Sequence, residues 1–598
     1  MILNPTNEAL STFIFREGTD KLLMVSLKIT HPDGTIERVG MSLLKKEKDA
    51  NGSMVYKYAY PNVQKGTVVQ EHFSYLKNDM QSAIFRDLVE SEFVFTSEFP
   101  ILDYTFCFSY PSWWKVAYKR QNIPASSVST QVDEKKDQIN TTFRLNSIPA
   151  WVNEPYSPYR REMVPSLKIK VIECGLYIDA GNFASPKDWE SVSDFYKEYA
   201  VNENFLFNLF LSNSVKGMTA KANSPHEKAR AILTHIRNTI TVESGNQWKD
   251  FSDVLNSKKG NPMNITGLTQ SLLREAGIRS DFIMIYDRSN GSYDDSYINF
   301  FEFEVPALRV FVESDTLYSI PYMKQFPYLF LPDNLSDQPA LIVRKKENSF
   351  SSKAPTRAAA IATKETKGKT EELMIRIPEN EIIQNEILQK SNLTINEEGS
   401  VKVSESFRFS GSPAVEFRGE IEDLKKYEVN QKILEKFSIR TENTSNIVPK
   451  ITNLTEADSS LIVEFEYSVE NLTTITPEEV LVQLDELISP ISIKRFSLDN
   501  EKRVLPISIT YPFSYRREIN ISVPEGWTLQ NKIENASVSN EFGELNLNGL
   551  ATEKAQSLQY NLIIRKSNQP SEKYPDLKKL LSPDERFHPG TFIYSNSL

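Results

Sequence analysis

One change of hydrophobic period constrains the fold of this 598-residue chain more than any other feature. Up to about residue 175 the apolar residues come in short alternating segments. Leu23-Met24-Val25-Ser26-Leu27-Lys28-Ile29 is an example, and turns such as Pro32-Asp33-Gly34 punctuate the run. Near residue 185 the spacing becomes helical. Period two suits a half-buried strand and a period near 3.6 suits a helix, so one stretch cannot serve both. An all-β region therefore gives way to an α+β one.

The helical stretch carries its own boundary signals. Ser185-Pro186 opens a segment in which Trp189, Val192, Phe195, Tyr196 and Tyr199 recur at helical spacing. Ser224-Pro225-His226-Glu227 is a capping box with proline at the first helical position, followed by buried candidates Ala229, Ile232, Leu233, Ile236 and Ile240. Asn261-Pro262 starts a third helix through Ile265, Leu268, Leu272, Leu273 and Ala276, and Gly277 supplies a left-handed stop. Strands are expected at Phe282–Tyr286, Phe300–Val305 and Leu308–Val312.

Residues 346–370 lose all periodicity and fill with Lys, Ala, Ser and Thr, as a linker does. Strands resume at Leu461–Tyr467, Ile507–Tyr511, Ile519–Val523 and Leu558–Ile564, with one expected helix around Pro477–Ile488. The fold class is thus multidomain β and α+β. The expected domains are an N-terminal β-sandwich (1–175), an α+β core (176–345), the linker, and a C-terminal β-sandwich region (371–598), either one large unit or two that part near 500.

Composition narrows the chemistry. With 69 Lys+Arg against 79 Asp+Glu, the net charge of −10 offers no footprint for a nucleic-acid backbone. Only 2 Cys and 5 His occur, and no His lies between His235 and His588, so Cys/His metal clusters and an associated cofactor are not expected. His226 and His235, nine residues apart on one helix, point to opposite faces. No secretory signal opens the sequence, and the longest apolar cluster, Phe205 to Leu211, falls short of the roughly 18 residues of a membrane helix. There is no G-x-S-x-G elbow, H-E-x-x-H or P-loop.

Three stretches resemble bacterial transglutaminase-like proteins of three-module type. Tyr60-Pro61-Asn62 with Gly66-Thr67 and Tyr75 is similar to their N-terminal β-domain. Ser147-Ile148-Pro149-Ala150 with Glu154-Pro155-Tyr156 and Pro158-Tyr159 resembles the passage before their core. Glu227-Lys228-Ala229, Val254-Leu255, Lys259-Gly260 and Leu272-Leu273-Arg274-Glu275-Ala276-Gly277-Ile278 resemble the papain-like core itself. Tyr511-Pro512-Phe513 and Tyr574-Pro575 resemble the C-terminal β-domain more weakly. In that family further strands and an export signal precede the part matched here. The resemblance therefore implies a start inside the domain and an extracytoplasmic location, in periplasm or cell envelope.

Such enzymes attack an acyl group with a Cys thiolate, use His as base and orient it with Asp. A helix start suits the Cys because the dipole and free N–H groups lower its pKa and stabilise an oxyanion. The family pattern Gly-x-Cys-x-Asp aligns Pro262 with the Cys and Asn264 with the Asp. The resemblance puts the His near Leu308 and the orienting acid near Ile320. None of these residues can do that work, so Pro262, Leu308 and Ile320 are expected as vestigial triad positions, with Asn261, Met263 and Asn264 lining the former cleft.

Cys174 reads as a buried thiol on a strand, and Tyr110 to Tyr118, with Trp113 and Trp114, as sandwich core with an edge aromatic. Two functions follow. One is a non-catalytic binding or scaffold protein for a protein, peptide or glycan partner, with no catalytic residues. The other is a hydrolase of another class, acting through cleft carboxylates, for example on glycans. They differ in whether the groove at Pro262 is open and acidic or filled by side chains such as Met263 and Tyr318.

Overall fold

A computed structural model describes residues 12–17, 20–48, 54–77, 90–175, 182–200, 205–243, 249–327, 330–344, 373–379, 385–397, 400–421, 424–437, 447–469, 473–483, 498, 502–531, 534–551, 555–588 and 590–596. The expected linker at 346–370 lies outside them.

The chain forms two compact units. The first comprises residues 1–92, 113–118 and 168–184, so the boundary expected at 175 does not follow the contacts: residues 93–112 and 119–167 belong with the second. In the first unit, strands Thr12–Glu17, Met54–Ala59 and Lys45–Lys48 make one sheet, and Ile36–Gly40, Asp20–Thr30 and Val68–Lys77 another. Phe13, Leu22, Val25, Leu27, Ile29, Val39, Leu44, Tyr56 and Tyr60 from both sheets form one core, a small sandwich. Cys174, on strand Ser166–Gly175, is buried, and burial pushes its thiol pKa up, as suits an inert thiol.

The second unit holds the α+β core. Helices Trp189–Ala200, Phe205–Met218, Pro225–Thr239, Phe251–Ser257 and Pro262–Glu275 precede an antiparallel sheet. Its strand order is Asp315–Ser319, Val305–Val312, Arg279–Ile285, Pro339–Ile342 and Met374–Arg376. Phe300–Phe303 forms turns, so the two strands expected between 300 and 312 are one, Val305–Val312. Tyr196 explains the departure. Its hydroxyl donates to the carbonyls of Phe300 and Phe303 at 2.5 and 2.7 Å, which takes from this segment acceptors that a ladder would use.

The C-terminal region is a single sandwich. Its eight-stranded sheet runs Lys450–Thr452, Leu461–Val469, Val401–Phe409, Glu386–Ile395, Phe513–Ser522, Ala555–Ile564, Gly543–Ala551, Ala536–Asn540. Strands from either side of residue 500 are hydrogen-bonded neighbours, which rules out a division there. Val480, Val482, Phe592 and Tyr594 of a four-stranded sheet share its core. In place of the first part of the helix expected around Pro477–Ile488 stands strand Glu479–Gln483, paired with Thr591–Asn596; residues 484–488 lie outside the described residues. Val480 and Val482 are buried while Glu479, Leu481 and Gln483 are not, the period of a strand. Helices not anticipated, Ser412–Ile421, Lys426–Lys436 and Tyr574–Leu581, add Phe417, Ile433 and Leu577 to the same core.

Two clamps join core and sandwich within this unit. The buried Glu154 carboxylate accepts the Val504 and Leu505 N–H groups at 2.9 and 2.8 Å. Arg503 returns the contact, donating to the carbonyls of Pro155 at 2.5 Å and Tyr156 at 2.8 Å and to the Ser157 hydroxyl at 3.1 Å. The Glu154-Pro155-Tyr156 motif thus fixes the passage before the core onto the C-terminal domain. In the second clamp Asp337 accepts from Arg376 at 2.6 Å and from Lys566 at 3.0 Å.

Glu154→Ala leaves a buried arginine without its counter-charge and two N–H groups without acceptors. It is expected to lower stability by about 3–5 kcal/mol, read by urea unfolding. The Arg376 hydrogen bond, aided by Lys566, holds the Asp337 carboxyl at about 2 against an ordinary 3.8. A depressed carboxylate contributes stability above its unfolded value and loses it as pH falls through its folded one. The stability difference between wild type and Asp337→Asn should therefore be full above pH 3.8 and vanish as pH drops through about 2, followed by urea midpoints across that range.

Candidate functional site at the start of the central helix

Helix Pro262–Glu275 is buried along most of its length, with Ile265, Thr266, Leu268, Thr269, Leu272 and Leu273 all inaccessible. Hydroxyls in so dry a place need partners. Thr266 donates to the Pro262 carbonyl at 2.8 Å, Thr269 to Ile265 at 2.7 Å and Ser271 to Gly267 at 3.0 Å, all one turn back. Helix Pro225–Thr239, capped by the Ser224 hydroxyl on the Glu227 N–H, buries Ala229, Ile232, Leu233 and Ile236 in the same cluster. Gly277, at φ +77°, ends the central helix as expected.

At its start Asn261 is the cap, its side-chain oxygen accepting the Asn264 N–H at 2.9 Å, and Pro262 fills the first helical position. Proline has no N–H, so one donor that a helix start offers an oxyanion is missing. Asn264 is wholly buried; its amide donates to the Lys249 carbonyl at 3.4 Å, and its Oδ1 meets no donor. Met263 packs with Phe282, Met284 and Phe303. Two carboxylates lie on segments beside this start. Glu243, whose N–H donates to the Gly260 carbonyl at 3.0 Å, is ion-paired with Lys249, and Asp250 stands at the N-cap position of helix Phe251–Ser257 with no side-chain capping bond and its Oδ1 unpartnered.

Leu308 lies on strand Val305–Val312 and faces the helices, in one fully buried cluster with Ile265, Leu268, Val310 and Val312. Ile320 does not share that face. It packs with Ile283, Ile285 and Ala307 on the other side of the sheet. The residue across the ladder from Leu308 is Ser319, which is buried and whose hydroxyl meets no partner. Successive strand residues alternate faces, so a group orienting a base at 308 would stand at 319 and not at 320. Ladder parity, visible only once the pairing is known, is the signal that finds Ser319. Tyr318, expected to help fill the groove, also belongs to the far face, opposite Arg309. Of the two side chains expected to fill the groove, Met263 packs on the Phe282 side of the sheet and Tyr318 does not.

Elsewhere in this unit an open cleft of about 420 Å³ is bordered by Pro158, Glu162, Arg288, Ser508, Asn568 and Gln569. Arg288 Nε donates to Glu162 at 3.2 Å, its guanidinium lies 6.0 Å from the centre of the Tyr159 ring, and burial pushes the Tyr159 hydroxyl up to about 12. Among the described residues, the terminal nitrogens of Arg288 add no hydrogen bond to the one its Nε makes. Among the described residues no three His, Cys, Asp or Glu side chains gather as a metal would require, and no helix is long and apolar enough to cross a membrane.

A polar helix start set against an antiparallel strand pair is the arrangement of a transglutaminase-like core, and residues 212–313 match the transglutaminase-like superfamily core. Residues 481–586 match DUF3858, a domain of unknown function with a solved structure. The chain thus carries a transglutaminase-like core domain followed by a DUF3858 domain. No curated protein matches the sequence. A crystal structure of a "putative protease" from Parabacteroides distasonis is similar over 99% of this chain and 93% of its own, at 14% identity and a TM-score of 0.59, a likeness of fold. A "putative cysteine protease" from Cytophaga hutchinsonii aligns over 39% of this chain and 74% of its own, at 10% identity and a TM-score of 0.18.

Because Leu308 is packed on all sides, Leu308→Ala is expected to cost about 2–5 kcal/mol in urea unfolding, the range for a leucine excised from a closed core.

Proposed function

We propose that this is a non-catalytic transglutaminase-like protein that acts by binding a polypeptide partner, with the extracytoplasmic location that the family resemblance implies. The observation that supports the reading is that the positions the resemblance assigns to nucleophile and base hold Pro262 and Leu308, and that Ser319 stands across the ladder from Leu308, so that none of the three can form a thiolate–imidazole pair. A catalytic base must also reach the proton it takes, and Leu308 is enclosed in the core.

The polypeptide partner rests on the cleft beside Arg288. That cleft offers donors in Arg288 and acceptors in Glu162, with the amides of Asn568 and Gln569 supplying both, which matches the alternating C=O and N–H of an extended backbone. Arg288 lies over the Tyr159 ring, and the residues bordering the cleft include no aromatic side chain on which a sugar would stack. The hydrolase reading has its nearest carboxylates in Glu243 and Asp250. Glu243 is neutralised by Lys249, which favours the binding reading.

Two measurements test this. Pro262→Cys alone should give no acyl-enzyme with an activated thioester, read by intact mass, because the base is also missing; an acyl adduct would overturn the non-catalytic reading. A pool of acetyl- and amide-capped unstructured peptides should bind the wild-type protein and bind Arg288→Met about tenfold more weakly by fluorescence anisotropy, the loss of one charged hydrogen-bonding group. Equal affinity for both proteins would remove the cleft from the reading.

A further inference from the structure

The helix Pro225–Thr239 carries a second stripe besides its apolar one. Arg230, Thr234 and Arg237 follow each other at four and three residues and so share one face. That face meets the 453–460 loop of the C-terminal sandwich. Asp458 approaches Arg230 Nε and Arg237 Nη1, each at 3.6 Å. Such spacing gives Coulomb attraction but lies beyond hydrogen-bond distance.

Arg237 is 3% exposed, and its Nε and Nη2 donate to no protein acceptor; the buried Thr234 hydroxyl is likewise unpartnered. Arg418, 3% exposed on helix Ser412–Ile421, holds the same loop through the carbonyls of Asn453, Glu456 and Ser459 at 3.1, 3.0 and 2.7 Å, while its Nε donates to nothing. Three guanidinium groups therefore surround one half-buried carboxylate, and the other acid of the loop, Glu456, is exposed and screened by solvent. Burial pulls the Arg237 guanidinium down to about 10, with Asp458 opposing the shift, a sign that protein charge alone does not balance it.

We propose that this joint binds one small inorganic anion, taken by the Nε–Nη2 edge of Arg237 and the Thr234 hydroxyl, and that the anion locks the transglutaminase-like core onto the C-terminal sandwich. The free edge of a guanidinium presents two parallel N–H groups, the fork that accepts an anion best. Arg230, half exposed at the outer end of the stripe, gives the anion a charged approach. Binding to the folded joint alone would raise the thermal midpoint with anion concentration.

The test uses the full chain dialysed into gluconate buffer, then titrated with sodium chloride, phosphate or sulfate at constant ionic strength, with gluconate as the bulky control. The wild-type midpoint is expected to rise and saturate with at least one of the three, and the anion that saturates at lowest concentration identifies the ligand. Thr234→Val, which keeps the shape of the side chain, should raise the half-saturating concentration about tenfold, the worth of one hydrogen bond to a charged group. Arg237→Met should abolish saturation. The proposal fails if all four anions act alike, as ordered water and screening would make them. It also fails if both variants respond as the wild type does, the result of general salting-out by sulfate and phosphate. Neither failure would bear on peptide binding at Arg288.

Discussion

A helix enclosed on most sides has no solvent to satisfy its polar groups, and this constraint governs the core. The central helix meets it with its own carbonyls, which take the hydroxyls of Thr266, Thr269 and Ser271, and with Asn261, which takes the Asn264 N–H. Once these bonds are made, the neighbouring helices and the sheet can close around it in one continuous apolar cluster. The same closure makes Leu308 a packing residue.

The core is also held at its joint with the sandwich. Glu154 and Arg503 exchange hydrogen bonds in both directions, each satisfying backbone groups of the other's segment. This resembles a reciprocal cap more than a simple ion pair, since the two charges stand 3.8 Å apart while the backbone contacts are short. Asp337 and the arginines around Asp458 add charged links along the same joint.

Much of the core was legible because its signals are local. A cap, a first-turn proline and a helical apolar stripe lie within a few residues, and the structure places helices Pro225–Thr239 and Pro262–Glu275 where those signals stand. What was not legible depends on pairing. Ile320 and Ser319 are adjacent in sequence, and only the ladder with Leu308 tells which one faces the helix. Glu479–Gln483 follows helix-like punctuation at Pro477 but becomes a strand because Thr591–Asn596 offers it a ladder. The partnership of Glu154 with Val504 spans 350 residues, with no local trace at either end.

The parallel pairing of Glu386–Ile395 with Phe513–Ser522 bears on how the chain is made as well as on how it stands. The two strands are joined in the middle of the eight-stranded sheet, yet paired residues are 128 positions apart. At about 5–20 residues per second of synthesis, the first strand waits roughly 6–25 s before its partner exists. During that interval Glu386–Ile395 has only its hairpin with Val401–Phe409, and one edge is open. That edge carries Gln389 and Ser391 among its inward residues, and the Glu405 carboxylate beside them accepts from both, at 3.0 and 2.8 Å. A polar stripe on a waiting edge disfavours premature pairing with another nascent chain, and in the finished sheet the same carboxylate stands 3.8 Å from the buried Arg517 guanidinium, which the later strand brings.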